Sequence, residues 1–217
     1  MSEALKRRPI AVRSSSWAQK IATQLIRQNV HPNTISVLSV FFAALAGASM
    51  IWARQQPSAG ATLTLFVLAA LMIQARLLCN LFDGMVAVEG GLGSKSGEIY
   101  NELPDRIADS LILICAGYAA GSLWLGSTLG WAAALGSVMT AYVRALGASA
   151  GAGQQFCGPM AKQQRMFLTT IACIVAGLEG LFHWPPRALL VALAIIVVGT
   201  VYTTARRTRL VVAKLEQ

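Results

Sequence analysis

The sequence predicts an all-α integral membrane protein with six transmembrane helices and an N-terminal interfacial amphipathic helix. Of its 217 residues, 55% are hydrophobic and only 12% are charged, whereas a soluble domain carries about 25% charged residues. Several stretches reach the ~20 consecutive, mostly apolar residues that a bilayer-spanning helix needs, and short polar segments separate them. The length suits one compact helical bundle rather than two domains.

The segment 1–33 is expected to form a cytoplasmic tail and a helix lying against the membrane. Residues 1–13 are basic and irregular, and the serines of SSSWAQKIATQLIRQ are suited to capping a helix that follows them. The apolar residues of that segment recur at helical spacing; they are Trp17, Ile21, Leu25 and Ile26. This pattern favours an amphipathic helix in the plane of the cytoplasmic leaflet, although an ordinary soluble helix remains an alternative.

Six apolar segments then predict a transmembrane domain over 34–205. HPN precedes the first segment, RQQPSAG separates the first two, and the glycine-rich EGGLGSKS separates the second from the third. The predicted spans are 34–53, 61–88, 97–124, 129–149, 161–181 and 186–205. The remaining residues, 206–217, are predicted to form a basic cytoplasmic tail.

The distribution of basic residues predicts the orientation. The chain has 18 Lys and Arg against 9 Asp and Glu, a net charge of +9, which in a soluble protein would suggest nucleic-acid binding. Here the basic residues lie at span ends, so the positive-inside rule explains them better and no nucleic-acid partner is expected. Only Arg54 and Arg187 fall in loops on one side, whereas Lys95, Lys162, Arg165 and both tails fall on the other. Both termini are therefore expected in the cytoplasm, and the protein in the cell inner (cytoplasmic) membrane.

Acidic residues concentrate between the second and third predicted spans. Six of the nine lie within residues 80–109: Asp83, Glu89, Glu98, Glu102, Asp105 and Asp109. At about 100° per residue, the side chains of 98, 101, 102, 105 and 109 share an arc of roughly 100° on one helix. Carboxylates in a membrane segment are costly, so this stripe should face a wet cavity, basic partners or metal ions. Two alternatives remain: a solvated helix end, and ion pairs with Arg76, Arg106 or Arg144.

The oxygen-bearing side chains of this region suit a hard divalent cation. Carboxylate and amide oxygens without nearby His or Cys favour Mg²⁺ or Mn²⁺ over zinc, and Mg²⁺ is usually bound partly through substrate phosphates. Gly84 and Ala87 lie one turn beyond Asp83 and leave room for a bulky substrate. The residues therefore predict a metal and diphosphate site at the cytoplasmic membrane surface.

The spacing resembles the signature of the CDP-alcohol phosphotransferase family, D-x(2)-D-G-x(2)-A-R-x(8)-G-x(3)-D-x(3)-D. Every spacing is kept over residues 80–105, and HPNTISVL, YVRALGASAG and MAKQQRM also resemble family segments. Asparagines replace the first and third aspartates, and valine replaces the arginine, which removes two negative charges from the metal site. The matching residues are Asn80, Asp83, Gly84, Ala87, Val88, Gly97, Asn101 and Asp105.

The resemblance implies a metal-dependent transfer of a phosphatidyl group from a CDP-linked donor to an alcohol, with release of CMP. It implies metal ligands at Asn80, Asp83, Asn101 and Asp105, with Glu102 restoring charge, and nucleotide contacts at Gly84, Ala87 and Gly97. Asp105 is the expected general base, and Asp109 is the competing candidate. The family further implies a homodimer.

Donor and acceptor are less defined by the sequence. CDP-diacylglycerol with a small polar alcohol is preferred, while CDP-choline or CDP-ethanolamine with diacylglycerol remains an alternative. Arg144, Lys162 and Arg165 are candidates for binding a substrate phosphate, although they are equally well explained as positive-inside anchors.

Two other functions are compatible with the composition. The first is a pseudoenzyme that binds CDP-lipid without transferring its phosphatidyl group. The second is an ion-coupled transporter that uses the acidic stripe as its pathway. The sequence contains no internal repeat of the kind common in transporters, and nearly all the acidic residues lie at one end of the bundle, which disfavours transport.

Overall fold

The computed structural model describes residues 15–94 and 96–217, so the predicted tail 1–13 and Lys95 lie outside the described residues. The described chain is all-helical. Its helices are α1 (Ser16–Arg27), α2 (Pro32–Ala53), α3 (Ala59–Glu89), α4 (Gly97–Ala119), α5 (Leu123–Ser149), α6 (Lys162–Leu181) and α7 (Ala188–Leu215).

Helices α2 to α7 correspond to the six predicted spans. Five of them, all except α4, are long and apolar enough to cross a bilayer. Helix α4 is 23 residues long, but five charged residues lie between its first turn and its middle: Glu98, Glu102, Asp105, Arg106 and Asp109. The same residues that point to a functional site therefore lower the hydropathy of this helix.

Three helix ends differ from the prediction by five residues or more. The fourth predicted span began at residue 129, but α5 begins at Leu123. The third predicted span was extended to residue 124, but α4 ends at Ala119, and Gly121 has a positive φ of 81° before α5 begins. The segment 206–217 was predicted as a tail, but α7 continues to Leu215. The continuation has a physical reason: Arg207 is buried, and its guanidinium donates to the backbone carbonyls of Cys157 at 2.9 Å and Thr140 at 2.6 Å.

The six long helices pack as a closed ring of neighbours. Helix α2 contacts α3 and α4, α4 contacts α5, α5 contacts α7, α7 contacts α6, and α6 returns to α3. Small residues allow close approach between some of these helices. A Cβ atom added to Gly117 of α4 would lie 2.5 Å from the carbonyl oxygen of Gly126 in α5, so the two backbones nearly touch there.

Direct contact between α3 and α4 is sparse. Helix α2 packs against both of them instead. The motif residues on α3 and α4 are therefore held on either side of a space rather than in a tight helix interface.

Helix α1 packs on the bundle through one face. Ala18 and Ala22 are fully buried, and the Trp17 ring makes an edge contact with Phe82 of α3, with centroids 6.2 Å apart. Large apolar side chains cover the outward faces of the long helices, for example Phe41 and Val198, which are 57% and 70% exposed. Exposed apolar surface of this extent is typical of helices that contact lipid.

Candidate functional site

A cavity of about 610 Å³ lies at the end of the bundle where α3 ends and α4 begins. Every predicted site residue except Asp109 lines it. From α3 and α4 these are Asn80, Asp83, Gly84, Ala87, Gly97, Asn101, Glu102 and Asp105; from α5 and α6 they are Arg144, Lys162 and Arg165. Residues far apart in sequence thus meet in one cavity large enough for a small-molecule ligand.

Asp83 is held in position by a residue from another helix. Its side chain is buried, with the whole residue 4% exposed. The Ser36 hydroxyl of α2 donates to Asp83 Oδ2 at 2.6 Å, whereas the buried Oδ1 has no hydrogen-bond partner of good geometry among the described residues. The Gly84 backbone N–H also interacts with this carboxylate, but no cationic side chain of the described residues forms an ion pair with it. A buried carboxylate without an ion-pair partner is costly, so Asp83 is suited to accept a cation.

Asp105 has several donors around it. Arg76 Nη2 lies 3.0 Å from Asp105 Oδ1, and the Asn80 side-chain amide donates to the same oxygen. The Lys162 ammonium donates to Oδ2, and Arg106 Nη2 lies 3.6 Å from that oxygen. Both oxygens of Asp105 are therefore occupied by groups of the protein itself.

Asp109 does not line the cavity. It is fully buried, with Arg76 Nη2 2.7 Å from its Oδ1 and Arg165 Nη2 2.8 Å from its Oδ2. Because Asp109 is fully buried and lies outside the cavity lining, a substrate hydroxyl in the cavity does not reach it. This placement favours a structural role for Asp109 over the role of general base.

The ion pairs that the sequence left open as an alternative are present beside the cavity. Besides the Arg76 pairs, Arg144 donates to Glu102 Oε1, and Arg106 Nη2 lies 3.5 Å from Glu102 Oε2. Glu102, Arg106 and Arg144 form these ion pairs and also line the cavity.

Three features of the site escaped the sequence reasoning. Ser36, which orients Asp83, lies 47 positions before it. Phe156 lines the cavity and stacks under the Arg144 guanidinium, with Arg144 Cζ 5.5 Å from the ring centroid. Arg207 lines the cavity from α7, although it fell in a predicted tail. The one available signal for Arg207 was helical apolar spacing continuing past residue 205.

The donor set fits a divalent cation in part. No three His, Cys, Asp or Glu side chains of residues 15–94 and 96–217 converge on a common point that would hold a metal. Asp83 Oδ1 and the amide oxygens of Asn80 and Asn101 nevertheless offer hard oxygen ligands in the cavity, and substrate phosphates commonly complete such sites.

A second cavity, of about 430 Å³, lies at the opposite end of the bundle and includes Arg54 and Glu179 in its lining. Glu179 Oε1 accepts the backbone N–H groups of Arg187 and Ala188 at 3.1 and 2.8 Å. It thus satisfies donors at the N-terminus of α7, a structural role. None of the motif residues lies there, so the first cavity is the candidate active site.

The chain resembles known phospholipid-synthesising enzymes along most of its length. No family model matches the sequence. A phosphatidylinositol phosphate synthase of Streptomyces avermitilis is 29% identical over 192 residues, which cover 86% of this chain and 74% of that protein. These similarities, with the motif, confirm the resemblance to the CDP-alcohol phosphotransferase family.

Solved structures share the fold. The Mycobacterium tuberculosis phosphatidylinositol phosphate synthase PgsA1 with CDP-DAG bound superposes with a TM-score of 0.74 at 19% identity, covering 91% of this chain and 94% of that one. The same protein in complex with manganese and citrate gives a TM-score of 0.70, also at 19% identity, over 89% and 88% of the two chains.

Proposed function

We propose that this chain is a CDP-alcohol phosphatidyltransferase, which transfers a phosphatidyl group from CDP-diacylglycerol to an alcohol and releases CMP. The observation that carries the proposal is the cavity itself, which gathers the spaced motif of α3 and α4 and a set of cationic side chains. The relative from Streptomyces and the PgsA1 complex with CDP-DAG support the choice of donor.

The donor's diphosphate belongs beside Asp83. A divalent cation held by Asp83, Asn80 and Asn101 would neutralise the diphosphate and the charge that develops on the leaving CMP. Gly84, Ala87 and Gly97 line the same side of the cavity and give the nucleotide access to the backbone of α3 and α4. Transfer of this type depends mainly on positioning and charge neutralisation, which these residues supply.

Asp105 is the proposed general base for the acceptor hydroxyl. It lines the cavity, whereas Asp109 does not. The hydroxyl oxygen attacks the phosphorus of the phosphatidyl group, the bond to the CMP oxygen breaks, and the hydroxyl proton passes to Asp105. Arg76 and Asn80 hold Oδ1 in place, while Oδ2 accepts one hydrogen bond, from Lys162, and so keeps a second acceptor site for the hydroxyl.

A small anionic alcohol fits the cationic side of the cavity. Arg144, Lys162 and Arg165 line it as the sequence suggested, and Arg207 adds a fourth cation. Cationic groups that converge in a cavity suit a phosphate on the acceptor. A phosphorylated polyol is therefore the proposed acceptor class, in keeping with the name of the Streptomyces relative.

The membrane placement follows from the same arrangement. We place α4 as the sixth span, since it packs between α2 and α5 within the ring of apolar helices. The cavity end faces the cytoplasm under the positive-inside rule, and α1 lies at that surface with Trp17 and Ile21 exposed. A homodimer is the expected assembly of the family.

The test is CMP release by the purified full chain in detergent or liposomes. The assay contains CDP-diacylglycerol, Mn²⁺ or Mg²⁺, and either inositol phosphate, inositol, glycerol phosphate or serine. We expect metal-dependent CMP release with at least one phosphorylated alcohol and a matching lipid product. CDP-diacylglycerol binding without CMP release for any acceptor would identify a pseudoenzyme, for which the occupied oxygens of Asp105 are the favouring observation.

A further inference from the structure

Cationic side chains of the protein already neutralise the Asp105 carboxylate before any metal ion binds. Its two oxygens receive the Lys162 ammonium, the Asn80 amide and the Arg76 guanidinium. A divalent cation on Asp105 would have to displace the ammonium or lie directly against it. Like charges at such close range repel strongly in a partly buried site.

Asp83, unlike Asp105, forms no ion pair among the described residues. It is 4% exposed, it lines the cavity, and its buried Oδ1 has no hydrogen-bond partner of good geometry. Asn80 uses its amide N–H on Asp105, which leaves its amide oxygen as an acceptor. In the described part of the chain Asp83 therefore forms no ion pair, although the Lys162 charge acts on it from a distance, whereas Asp105 is paired with Arg76 and Lys162.

The net charge of the cavity lining also disfavours a second divalent cation. Asp83, Glu98, Glu102 and Asp105 supply four carboxylates, whereas Arg106, Arg144, Lys162, Arg165 and Arg207 supply five cations. Two divalent ions would add four positive charges to a lining that is already net positive. Asparagine at 80 and 101 removes the two carboxylates that would offset part of this charge.

Building on the function proposed above, we propose that the site binds a single divalent cation at Asp83, and that the Lys162 ammonium takes the place of a second ion. Held on Asp105, Lys162 is placed to neutralise a phosphate oxygen of a bound substrate as a fixed point charge, a role that lysine performs in many phosphate sites.

The experiment counts Mn²⁺ bound per chain in the purified protein by electron paramagnetic resonance and equilibrium dialysis, without substrate. We expect one Mn²⁺ in the wild type and none in Asp83→Asn. The triple variant Asn80→Asp, Asn101→Asp, Lys162→Met should bind two, with a spin-coupled spectrum. Lys214→Met, an exposed change near the C-terminus, is the matched control and should bind one. Circular dichroism and thermal unfolding establish that each variant is folded.

Two Mn²⁺ in the wild type, or one retained by Asp83→Asn, would overturn the proposal. A triple variant that is folded but still binds one would overturn the assignment of Lys162 and the asparagines as the groups that exclude a second ion. Because these counts need no turnover, they are independent of the proposed reaction. One Mn²⁺ bound by a protein that never releases CMP would refute the enzyme and leave the single-metal site standing.

Discussion

Replacing Arg76 by methionine should destabilise the bundle strongly. Arg76 is fully buried on α3, and its Nη2 lies 3.0 Å from Asp105 Oδ1 and 2.7 Å from Asp109 Oδ1, both on α4. Since α3 and α4 have little direct packing, this guanidinium is a main link between them. Arg76→Met keeps most of the apolar stem but leaves two carboxylates short of a donor.

The expected loss of unfolding free energy in Arg76→Met follows from the distance between Arg76 and Asp109. Two unit charges 2.7 Å apart attract by about 6 kcal/mol at an effective dielectric constant of about 20, and desolvation offsets part of that. Removing one partner of a buried pair typically costs about 3–5 kcal/mol. Asp109 retains Arg165 at 2.8 Å, so we expect about 3 kcal/mol for Arg76→Met.

A double-mutant cycle with Asp109→Asn isolates the pair. We expect the double variant to be more stable than the sum of the two single changes predicts, by about 1–3 kcal/mol. The assay is reversible unfolding in mixed detergent micelles, followed by tryptophan fluorescence. Arg209→Met, at an exposed position of α7, is the control and should change stability by under about 0.5 kcal/mol. Additive single changes, or a loss below about 1 kcal/mol for Arg76→Met, would refute this reasoning.

Three further changes test other contacts. Ser36→Ala removes the hydroxyl that holds Asp83 and should weaken Mn²⁺ binding about fivefold, the equivalent of one hydrogen bond; unchanged Mn²⁺ affinity in a titration would contradict it. Gly117→Ala brings a Cβ to 2.5 Å from a carbonyl oxygen of α5 and should lower the unfolding free energy by about 1–3 kcal/mol. Gly60→Ala is the control: its Cβ would lie 3.8 Å from the nearest atom beyond its chain neighbours and its own helix backbone, so the unfolding free energy should not fall. Arg144→Ala should raise KM for a phosphorylated acceptor about tenfold or more and leave KM for the CDP-linked donor unchanged; an equal rise for both would contradict an acceptor pocket.

The number and place of the long helices were predictable from the sequence because hydropathy is a local property. The spans at 34–53 and 161–181 differ from α2 and α6 by no more than two residues at either end. Charged residues caused the largest difference, at the end of α7. The basic residues after 205 suggested a tail, but Arg207 finds buried carbonyl acceptors, and the helix continues.

The part of the cavity lining on α3 and α4 was predictable because the motif fixes residues on two helix ends by spacing alone. The partners of those residues were not, since they come from helices distant in sequence. Nothing local to Arg76, within LMIQARLLCN, shows that it contacts α4 rather than lipid headgroups. The same limit explains Asp109, which shares the predicted stripe with Asp105 but lies one turn deeper, where Arg165 of α6 reaches it.

Metal-assisted binding of the donor's diphosphate at Asp83 is the step that the proposed reaction requires first. Calorimetric titration of the purified chain with CDP-diacylglycerol in micelles, with Mn²⁺ or with EDTA, measures this. We predict that Mn²⁺ strengthens binding at least tenfold in the wild type and has no effect in Asp83→Asn. Equal affinity with and without Mn²⁺ in the wild type, or an Mn²⁺ effect that survives in Asp83→Asn, would contradict the account.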